Sequence, residues 1–476
     1  MFKAIRTLIE KKPTYVLPFW RKIAYSLAAP ADIWAVWIPL GIASPILTIQ
    51  FGIKPWIVSM LFMGFRLWDA MTDPLMGWIS DNTKSRWGRR RPYIFVGAIL
   101  LGVFFPLLWM FPRDATHAQI IAFMIPMGLC LYTSLTIWAM PYHSMFMELT
   151  PDYHERTNIN SFRSLFQTTF GMLGGWVWAI TQMDVFHLNG VADTLHGMRW
   201  FALGCGIVMI LIGVLPALFV KERFSETNLV KDHKRNSLWR DLRLTLSNRD
   251  FLVMVLMTVL FAGGTSLTQS FNVFIGTYYV LDGDQTASSI WTGYGSTAYY
   301  LSVYLAIVFF STFSKAKGKI TALKVALIVQ LIGGASNYFI FIPGMPALML
   351  INSFLMGFGG QGTWLLVGSM IADIGDEDEL NTGNRREGSF ASIFSNVVKL
   401  SFTLGFGVSG VLLELTGFDV AASTNQVEVF MRMKLFMAII PAVALVFGIW
   451  ILGKYSITED KAARIRGELE ARRGNI

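Results

Sequence analysis

The amino-acid sequence predicts an all-α integral membrane protein in which twelve transmembrane helices form two six-helix halves. Hydrophobic residues make up 54% of its 476 positions and charged residues only 15%, whereas a soluble domain averages about 25% charged residues. The apolar residues gather in runs of roughly 20 residues or more, the length that a helix needs to cross a bilayer. Strongly basic loops alternate with nearly uncharged ones, as expected when successive loops lie on opposite sides of a membrane.

The twelve apolar runs fall into two stretches of the chain. The N-terminal half, 1–220, begins with a basic cytoplasmic lead-in, 1–23, and the C-terminal half covers 250–454. The polar segment 221–249 is predicted to be a cytoplasmic linker, and 455–476 a charged, helical, cytoplasmic tail. The spans are predicted near 26–50, 56–80, 93–111, 118–147, 159–183, 197–220, 251–279, 288–313, 321–342, 346–372, 388–416 and 431–453.

The distribution of charge over the loops predicts the topology. One set of loops holds many Lys and Arg residues, whereas the opposite set holds Lys54 and Arg113 and almost nothing else. This asymmetry favours an even number of spans with both termini in the cytoplasm. The basic run 315–319 follows span eight much as the cationic turn 84–91 follows span two. Two such halves in parallel orientation are the architecture of the major facilitator fold.

Charge and cysteine content argue against several classes of protein. A formal charge of +9 would favour nucleic-acid binding in a soluble protein, but the positive-inside distribution is the simpler cause here, and no nucleic-acid partner is expected. Cys130 and Cys205 lie in apolar runs, which argues against a disulfide framework or a zinc site. The sequence contains no nucleophile elbow, metal-ligand cluster or phosphate loop, so we expect neither an enzyme nor a cofactor. We expect a monomer in a bacterial inner membrane, with no cleaved signal peptide.

The second span carries charge where lipid would disfavour it. Asp69 and Asp73 are four residues apart, so both project from one face of a helix. Charged side chains inside a span usually face water and mark the path of an ion or a substrate. The alternative is a helix end that dips into headgroup water. Arg66 precedes Asp69 by three residues on the same face, and it either holds the carboxylates in a structural ion pair or presents donors to a hydroxyl-rich or anionic substrate.

Other spans contain isolated polar residues. Asp32 in span one is either a pore-facing acid or part of an unwound helix start. His143 in span four follows Pro141 and could bind substrate, titrate or make a helix–helix contact. Arg163 lies in span five. Lys399 has apolar neighbours on both sides in span eleven, so a carboxylate partner is expected, with Asp69 and Asp73 as candidates.

A dense cationic turn follows the second span. We interpret this turn, with Asp81 and the segment from Glu148 to Arg156, as an ion-pair network at an inner gate. The basic residues of this turn would also be expected if they only keep the loop on the cytoplasmic side of the membrane, and the turn can serve both purposes. The predicted gate residues are Asp81, Arg86, Arg89, Arg90, Glu148 and Arg156.

Taken together, these segments resemble the glycoside–pentoside–hexuronide:cation symporter family, which includes the melibiose permease. The matching segments run from Arg66 to Gly77, Ser85 to Pro92, Glu148 to Thr157, Trp364 to Asp373 and Arg385 to Lys399. The resemblance implies a twelve-helix major facilitator fold and sugar uptake driven by Na⁺ or H⁺. It also implies that Asp69 and Asp73 bind the cation, which would be a metal ion if sodium is coupled.

Further roles come from the same resemblance. Thr136 matches a nearby hydroxyl ligand of the cation, and Thr72 stands where the melibiose permease has an asparagine that favours sodium. Asp32 matches a sugar-binding acid and Arg163 lies within one position of a sugar-site arginine. Trp364 matches a sugar-contacting aromatic residue on the tenth helix, and Lys399 a lysine near the cation site.

The sequence departs from the melibiose permease at two positions. Ala139 replaces a second sugar-binding aspartate, and His143 replaces a tryptophan. The cavity predicted from Arg66, Arg163, His143 and Lys399 is more cationic, which suggests an acidic substrate such as a uronide, or a larger one. The alternatives are a carrier of lipid, drug or another organic solute on the same fold, and an uncoupled sugar facilitator.

Overall fold

The protein is built almost entirely from long helices. The computed structural model describes residues 17–150, 153–188, 190–220, 245–383, 386–420 and 426–473. The first eight helices are α1 (Phe19–Ser26), α2 (Ala29–Ala43, continued by a π-helical segment Ser44–Gln50), α3 (Pro55–Asn82), α4 (Arg91–Leu107), α5 (His117–Leu149), α6 (Tyr153–Thr181), α7 (Thr194–Gly213) and α8 (Leu215–Phe219). The next eight are α9 (Arg249–Ser266), α10 (Phe271–Ile275, continued by a π-helical segment Gly276–Val280), α11 (Gln285–Lys317), α12 (Lys319–Ile340), α13 (Met349–Thr382), α14 (Glu387–Leu415), α15 (Val427–Leu452) and α16 (Glu459–Arg473).

The predicted all-α membrane architecture is confirmed. Among the described residues, nine helical runs are long and apolar enough to cross a bilayer, and α4 is apolar but shorter, with 17 residues. The helices α3 and α6 have 28 and 29 residues and carry charged side chains within them. Each of the twelve predicted spans coincides with one of these helices or helical runs. The lead-in 1–16, most of the linker (221–244) and Arg385 lie outside the described residues.

Two helices extend well beyond their predicted ends. The helix α13 runs to Thr382, ten residues past the predicted limit of 372. Its last turns carry acidic residues that are paired: Arg386 donates two hydrogen bonds to Asp378, and Lys461 forms an ion pair with Glu377. The helix α6 begins at Tyr153, six residues before the predicted limit of 159. Hydropathy alone does not register such paired, charged helix ends.

The chain divides into two compact units. Unit 1 takes the described parts of Met1–Gly41 and Trp68–His233, and unit 2 those of Ile42–Leu67 and Lys234–Ile476. The first part of α3 belongs to unit 2 because it packs very closely on α14: a Cβ atom added to Gly410 would lie 2.4 Å from Ser59 Oγ. The predicted domain boundaries at 220, 249 and 454 stay a prediction.

Unit 2 has a large apolar core to which all of its long helices from α9 and α11 to α16 contribute, including α14 through Phe390. Close approach of α13 and α11 depends on Gly362, where a Cβ atom would lie 2.4 Å from the Phe310 ring. The helix α16 closes the end of this core with Ile465 and Leu469, which are both buried and four residues apart on one helix face.

Charged groups hold α16 in place on α13. The buried carboxylate of Asp373 accepts from Arg466 at 2.8 Å and from Lys319 at 2.5 Å. In the loop before α16, the Tyr455 hydroxyl donates to the Met370 carbonyl oxygen at 3.3 Å. Burial, together with nearby Asp373, raises the pKa of the Tyr455 hydroxyl well above its ordinary value, so it remains a hydrogen-bond donor. The predicted helical tail therefore forms part of the folded unit.

Candidate functional site

Four side-chain oxygen atoms meet in the interior of unit 1, between α3 and α5. The Thr136 hydroxyl donates to Asp69 Oδ1 at 2.9 Å and lies 3.2 Å from Asp73 Oδ1. Thr72 Oγ1 lies 3.1 Å from Thr136 Oγ1. Asp69 and Asp73 are only 2% and 8% exposed. The spacing along α3 brings Asp69, Thr72 and Asp73 to one face, as the sequence predicted for the two acids.

Each of the two threonines in this oxygen cluster has a single hydroxyl hydrogen and can therefore donate only one full hydrogen bond. The Thr72 hydroxyl lies 3.0 Å from the Trp68 carbonyl oxygen and 3.1 Å from that of Asp69, the usual backbone acceptors for a threonine inside a helix. Thr136 has a single hydrogen and cannot donate to both carboxylates at once. Two acids and two hydroxyl oxygens in a buried pocket form a donor set suited to a small hard cation or to a proton shared between carboxylates.

A second polar cluster in unit 1 joins three helices. His143 Nε2 on α5 lies 3.2 Å from Asp32 Oδ2 on α2, and an Arg163 guanidinium nitrogen on α6 lies 2.7 Å from His143 Nδ1. The side chains of His143 and Asp32 remain 33% and 26% exposed. Since a partly exposed carboxylate within a span is disfavoured in lipid, this edge is expected to face water. His143 thus contacts two other predicted substrate residues, Asp32 and Arg163.

Aromatic rings support this polar cluster. Trp138, Tyr142 and Tyr25 stack in a column with successive ring centroids 4.6 Å apart. The Tyr25 and Tyr142 hydroxyls each donate to the other residue's carbonyl oxygen, at 2.8 and 3.1 Å. The Arg163 guanidinium lies over the Tyr142 ring, 5.3 Å from its centroid, a cation–π contact that helps to hold the charged group in place.

The remaining predicted substrate residues, Arg66, Trp364 and Lys399, belong to unit 2. Trp364 is half-buried and packs its ring against Phe261 and Phe402, with centroids 5.4 and 5.9 Å away. Arg66 and Lys399 are half-buried on α3 and α14. The proposed pairing of Lys399 with an acid of α3 stays a prediction, as do the substrate roles of all three residues.

Three of the predicted gate residues, Asp81, Arg90 and Arg156, form hydrogen bonds within unit 1. Arg90, 5% exposed, donates to Asp81 Oδ1 at 2.8 Å. Arg156 Nε donates to the Thr150 carbonyl oxygen at 2.9 Å. Arg86 is exposed and Arg89 half-buried, and the side chain of Glu148 lies outside the described residues. The role of these residues as one gating network stays a prediction.

The buried ion pair between Lys22 and Glu155 was not predicted from the sequence. Lys22 Nζ lies 2.8 Å from Glu155 Oε1, with the two side chains 8% and 7% exposed, and the Leu17 amide also donates to Glu155 at 3.0 Å. Glu155 lies in a segment that carries the family resemblance, but its partner is 133 residues away. No periodic pattern in the sequence connects positions so distant.

Comparison with known proteins gives one family match over most of the chain. Residues 33–459 match the family described as MFS/sugar transport protein. A solved D-xylose–proton symporter resembles the fold with a TM-score of 0.63 and 13% identity, covering 90% of this chain and 96% of its own.

Several curated proteins are also similar over most of their length. An uncharacterized symporter of Synechocystis sp. is 24% identical, over 90% of this chain and 92% of its own. The isoprimeverose transporter of Lactiplantibacillus pentosus is 25% identical, over 77% and 74%. The sodium-dependent lysophosphatidylcholine symporter 1 of Gallus gallus is 23% identical, over 86% and 81%.

Proposed function

Because the chain belongs to the MFS/sugar transport protein family, we propose that it is a secondary active transporter that couples entry of Na⁺ or H⁺ to symport of a sugar, glycoside or uronide. The similar proteins include symporters and a transporter named for isoprimeverose, which supports a small carbohydrate substrate. The protein is a multi-pass membrane protein. We place it in a bacterial inner membrane as a monomer with both termini in the cytoplasm, with no cofactor beyond the coupling ion and no nucleic-acid partner.

The observation that carries the proposal is the oxygen cluster formed by Asp69, Asp73, Thr72 and Thr136. Two carboxylates within reach of one buried hydroxyl repel each other when both are ionised, and a bound cation removes that repulsion. Binding of the cation therefore favours a particular arrangement of α3 against α5. Cation binding and substrate binding are coupled if that arrangement also binds the substrate more tightly. The cation and the substrate then raise each other's affinity by the same factor.

The cluster of Asp32, His143 and Arg163 is the proposed substrate contact of unit 1. Its carboxylate accepts hydrogen bonds and its guanidinium donates them, which suits the many hydroxyl groups of a sugar. Arg66, Trp364 and Lys399 are the proposed contacts of unit 2. Alternating exposure of these groups would follow from rocking of the protein between two states, the usual mechanism for this fold.

Uptake into proteoliposomes tests the proposal. The purified full chain is reconstituted, and labelled sugars, glycosides, uronides and lysophosphatidylcholine are offered under an imposed Na⁺ gradient, an imposed proton gradient, or neither. We expect accumulation of a carbohydrate under one gradient only. Asp69→Asn and Asp73→Asn should abolish accumulation while leaving the protein in the membrane. Asp114→Asn, which changes an exposed carboxylate in the loop between α4 and α5, is the matched control and should behave as wild type.

The other outcomes each assign a different function. Equilibration that is indifferent to both gradients would make the protein an uncoupled facilitator and the acids of α3 structural. Accumulation of lysophosphatidylcholine instead of carbohydrates would favour the lipid-carrier alternative, which one of the similar proteins illustrates. Normal uphill uptake by Asp69→Asn would refute the proposed role of this cluster in cation binding.

A further inference from the structure

The short helix α1 is fixed through one face and leaves aromatic rings uncovered on another. Lys22 Nζ lies 2.8 Å from Glu155 Oε1, and both side chains are buried. Phe19 and Trp20, in contrast, are 66% and 51% exposed. Exposed aromatic rings at the end of a membrane span are typical of the interface between lipid headgroups and hydrocarbon. This face of α1 is therefore expected to contact lipid.

Arg21 follows these two aromatic residues, and its guanidinium lies over the Trp20 ring, 5.2 Å from the centroid. Arg21 Nε is buried and makes no hydrogen bond within the part of the chain that the structure describes. No described carboxylate forms an ion pair with this guanidinium, since Glu155 binds Lys22 instead. A guanidinium with unused donors suits a phosphate group, whose oxygen atoms can accept two of its N–H groups at once.

An apolar surface leads from this guanidinium along two further helices of unit 1. The Trp20 ring packs edge-on against Phe219 at the end of α8, with the ring centroids 5.6 Å apart. The helices α7 and α8 form one apolar run, and exposed side chains continue along one face of it at Leu218, Leu211 and Ile207. This stripe is about 16 Å long. That length is about half the thickness of the hydrocarbon core, which is the depth filled by the acyl chains of one leaflet.

The end of α8 is held in position beside α1. Arg91, the first residue of α4, donates to the Ala217 carbonyl oxygen at 2.5 Å and to that of Leu218 at 3.2 Å. These bonds fix the backbone next to Phe219, and the ion pair of Lys22 fixes the backbone next to Arg21. The guanidinium and the two rings are thus arranged before any ligand binds, which reduces the entropy that a ligand would lose by ordering them.

We propose that Arg21, Trp20 and Phe219 bind an anionic phospholipid, with the phosphate on the guanidinium and an acyl chain along the stripe of α7 and α8. An anionic lipid is favoured over a zwitterionic one, because a zwitterionic headgroup carries its own cation, which competes with the guanidinium for the phosphate. The site lies entirely within unit 1. Lipid binding there does not depend on which solute the protein transports.

Native mass spectrometry of the purified full chain in a neutral detergent tests the proposal by measuring lipid binding directly. The protein is titrated with dioleoyl phosphatidylglycerol and, separately, with dioleoyl phosphatidylethanolamine. We expect the wild type to bind phosphatidylglycerol more tightly. Arg21→Gln should weaken binding of the first phosphatidylglycerol about tenfold, the effect of losing one hydrogen bond between charged groups. Lys84→Gln removes one positive charge from an exposed side chain in the loop between α3 and α4 and is the matched control. It should change this affinity by less than about twofold, because solvent screens an exposed charge.

Two further variants separate the geometry of the site from its charge. Arg21→Lys keeps the charge but loses the planar fork, so its affinity should lie between those of wild type and Arg21→Gln. Trp20→Leu removes the ring under the guanidinium and should also weaken binding, and thermal unfolding confirms that each variant is folded. Equal affinities of the wild type for the two lipids would overturn the inference, as would equal weakening by Arg21→Gln and Lys84→Gln. Displacement of phosphatidylglycerol by equimolar glycerol 3-phosphate would refute a lipid site and indicate a site for a soluble phosphate ester.

Discussion

Replacing Thr136 with valine removes one hydroxyl from the centre of the oxygen cluster and keeps the shape of the side chain. That hydroxyl lies 2.9 Å from Asp69 Oδ1, 3.2 Å from Asp73 Oδ1 and 3.1 Å from Thr72 Oγ1. A hydrogen bond to a charged group contributes about 1.5–3 kcal/mol. If the hydroxyl contributes that much to the cation-bound state, the cation concentration for half-maximal uptake should rise about ten- to a hundredfold.

The measurement is the cation dependence of uptake in proteoliposomes. Thr136→Ser keeps the hydroxyl and should stay within a few-fold of wild type. Ser134→Ala is the matched control, because this buried hydroxyl lies on the same helix and donates to the Cys130 carbonyl oxygen at 2.7 Å. It should leave the cation dependence unchanged. Wild-type cation dependence in Thr136→Val would show that the hydroxyl is not a ligand, and the reasoning from the oxygen cluster would fail.

Two further predictions concern stability. Lys22→Met should destabilise the protein by about 3–5 kcal/mol because it leaves the buried Glu155 carboxylate without its cation. In a thermal unfolding assay, the double variant Lys22→Met with Glu155→Leu should recover much of this lost stability. No recovery in the double variant would contradict the ion-pair explanation. Gly362→Ala should cost about 1–3 kcal/mol through its clash with Phe310. Gly368→Ala on the same helix meets nothing within 4 Å and should not lower the unfolding temperature, because alanine favours a helix interior over glycine.

The helices were predictable because apolar runs of sufficient length have few alternatives to spanning a membrane. The common face of Asp69 and Asp73 also followed from helix geometry alone. The position of Thr136 beside these acids required the family resemblance, since nothing in the local pattern of α5 distinguishes this hydroxyl from Ser134.

Contacts between distant segments were not predictable. The sequence analysis identified Asp32, His143 and Arg163 as separate candidates and did not predict that they contact one another. Only the geometry shows that one imidazole bridges the acid and the base. The bond between Lys22 and Glu155 depends in the same way on how α1 packs against α6. The hydropathy pattern likewise underestimated the length of α13. The acidic end of this helix remains helical because basic side chains from other segments pair with it.

The docking of α16 on α13 bears on the order of events during synthesis. Arg466 lies 93 residues after its partner Asp373, so the ribosome needs roughly 5–20 s to reach it after α13 is made. Lys319 lies 54 residues before Asp373 and is available as soon as the acid emerges. The nascent chain therefore has one cation for this buried carboxylate from the start. The second cation, together with Ile465 and Leu469, arrives last and completes the unit after all the spans have been translated.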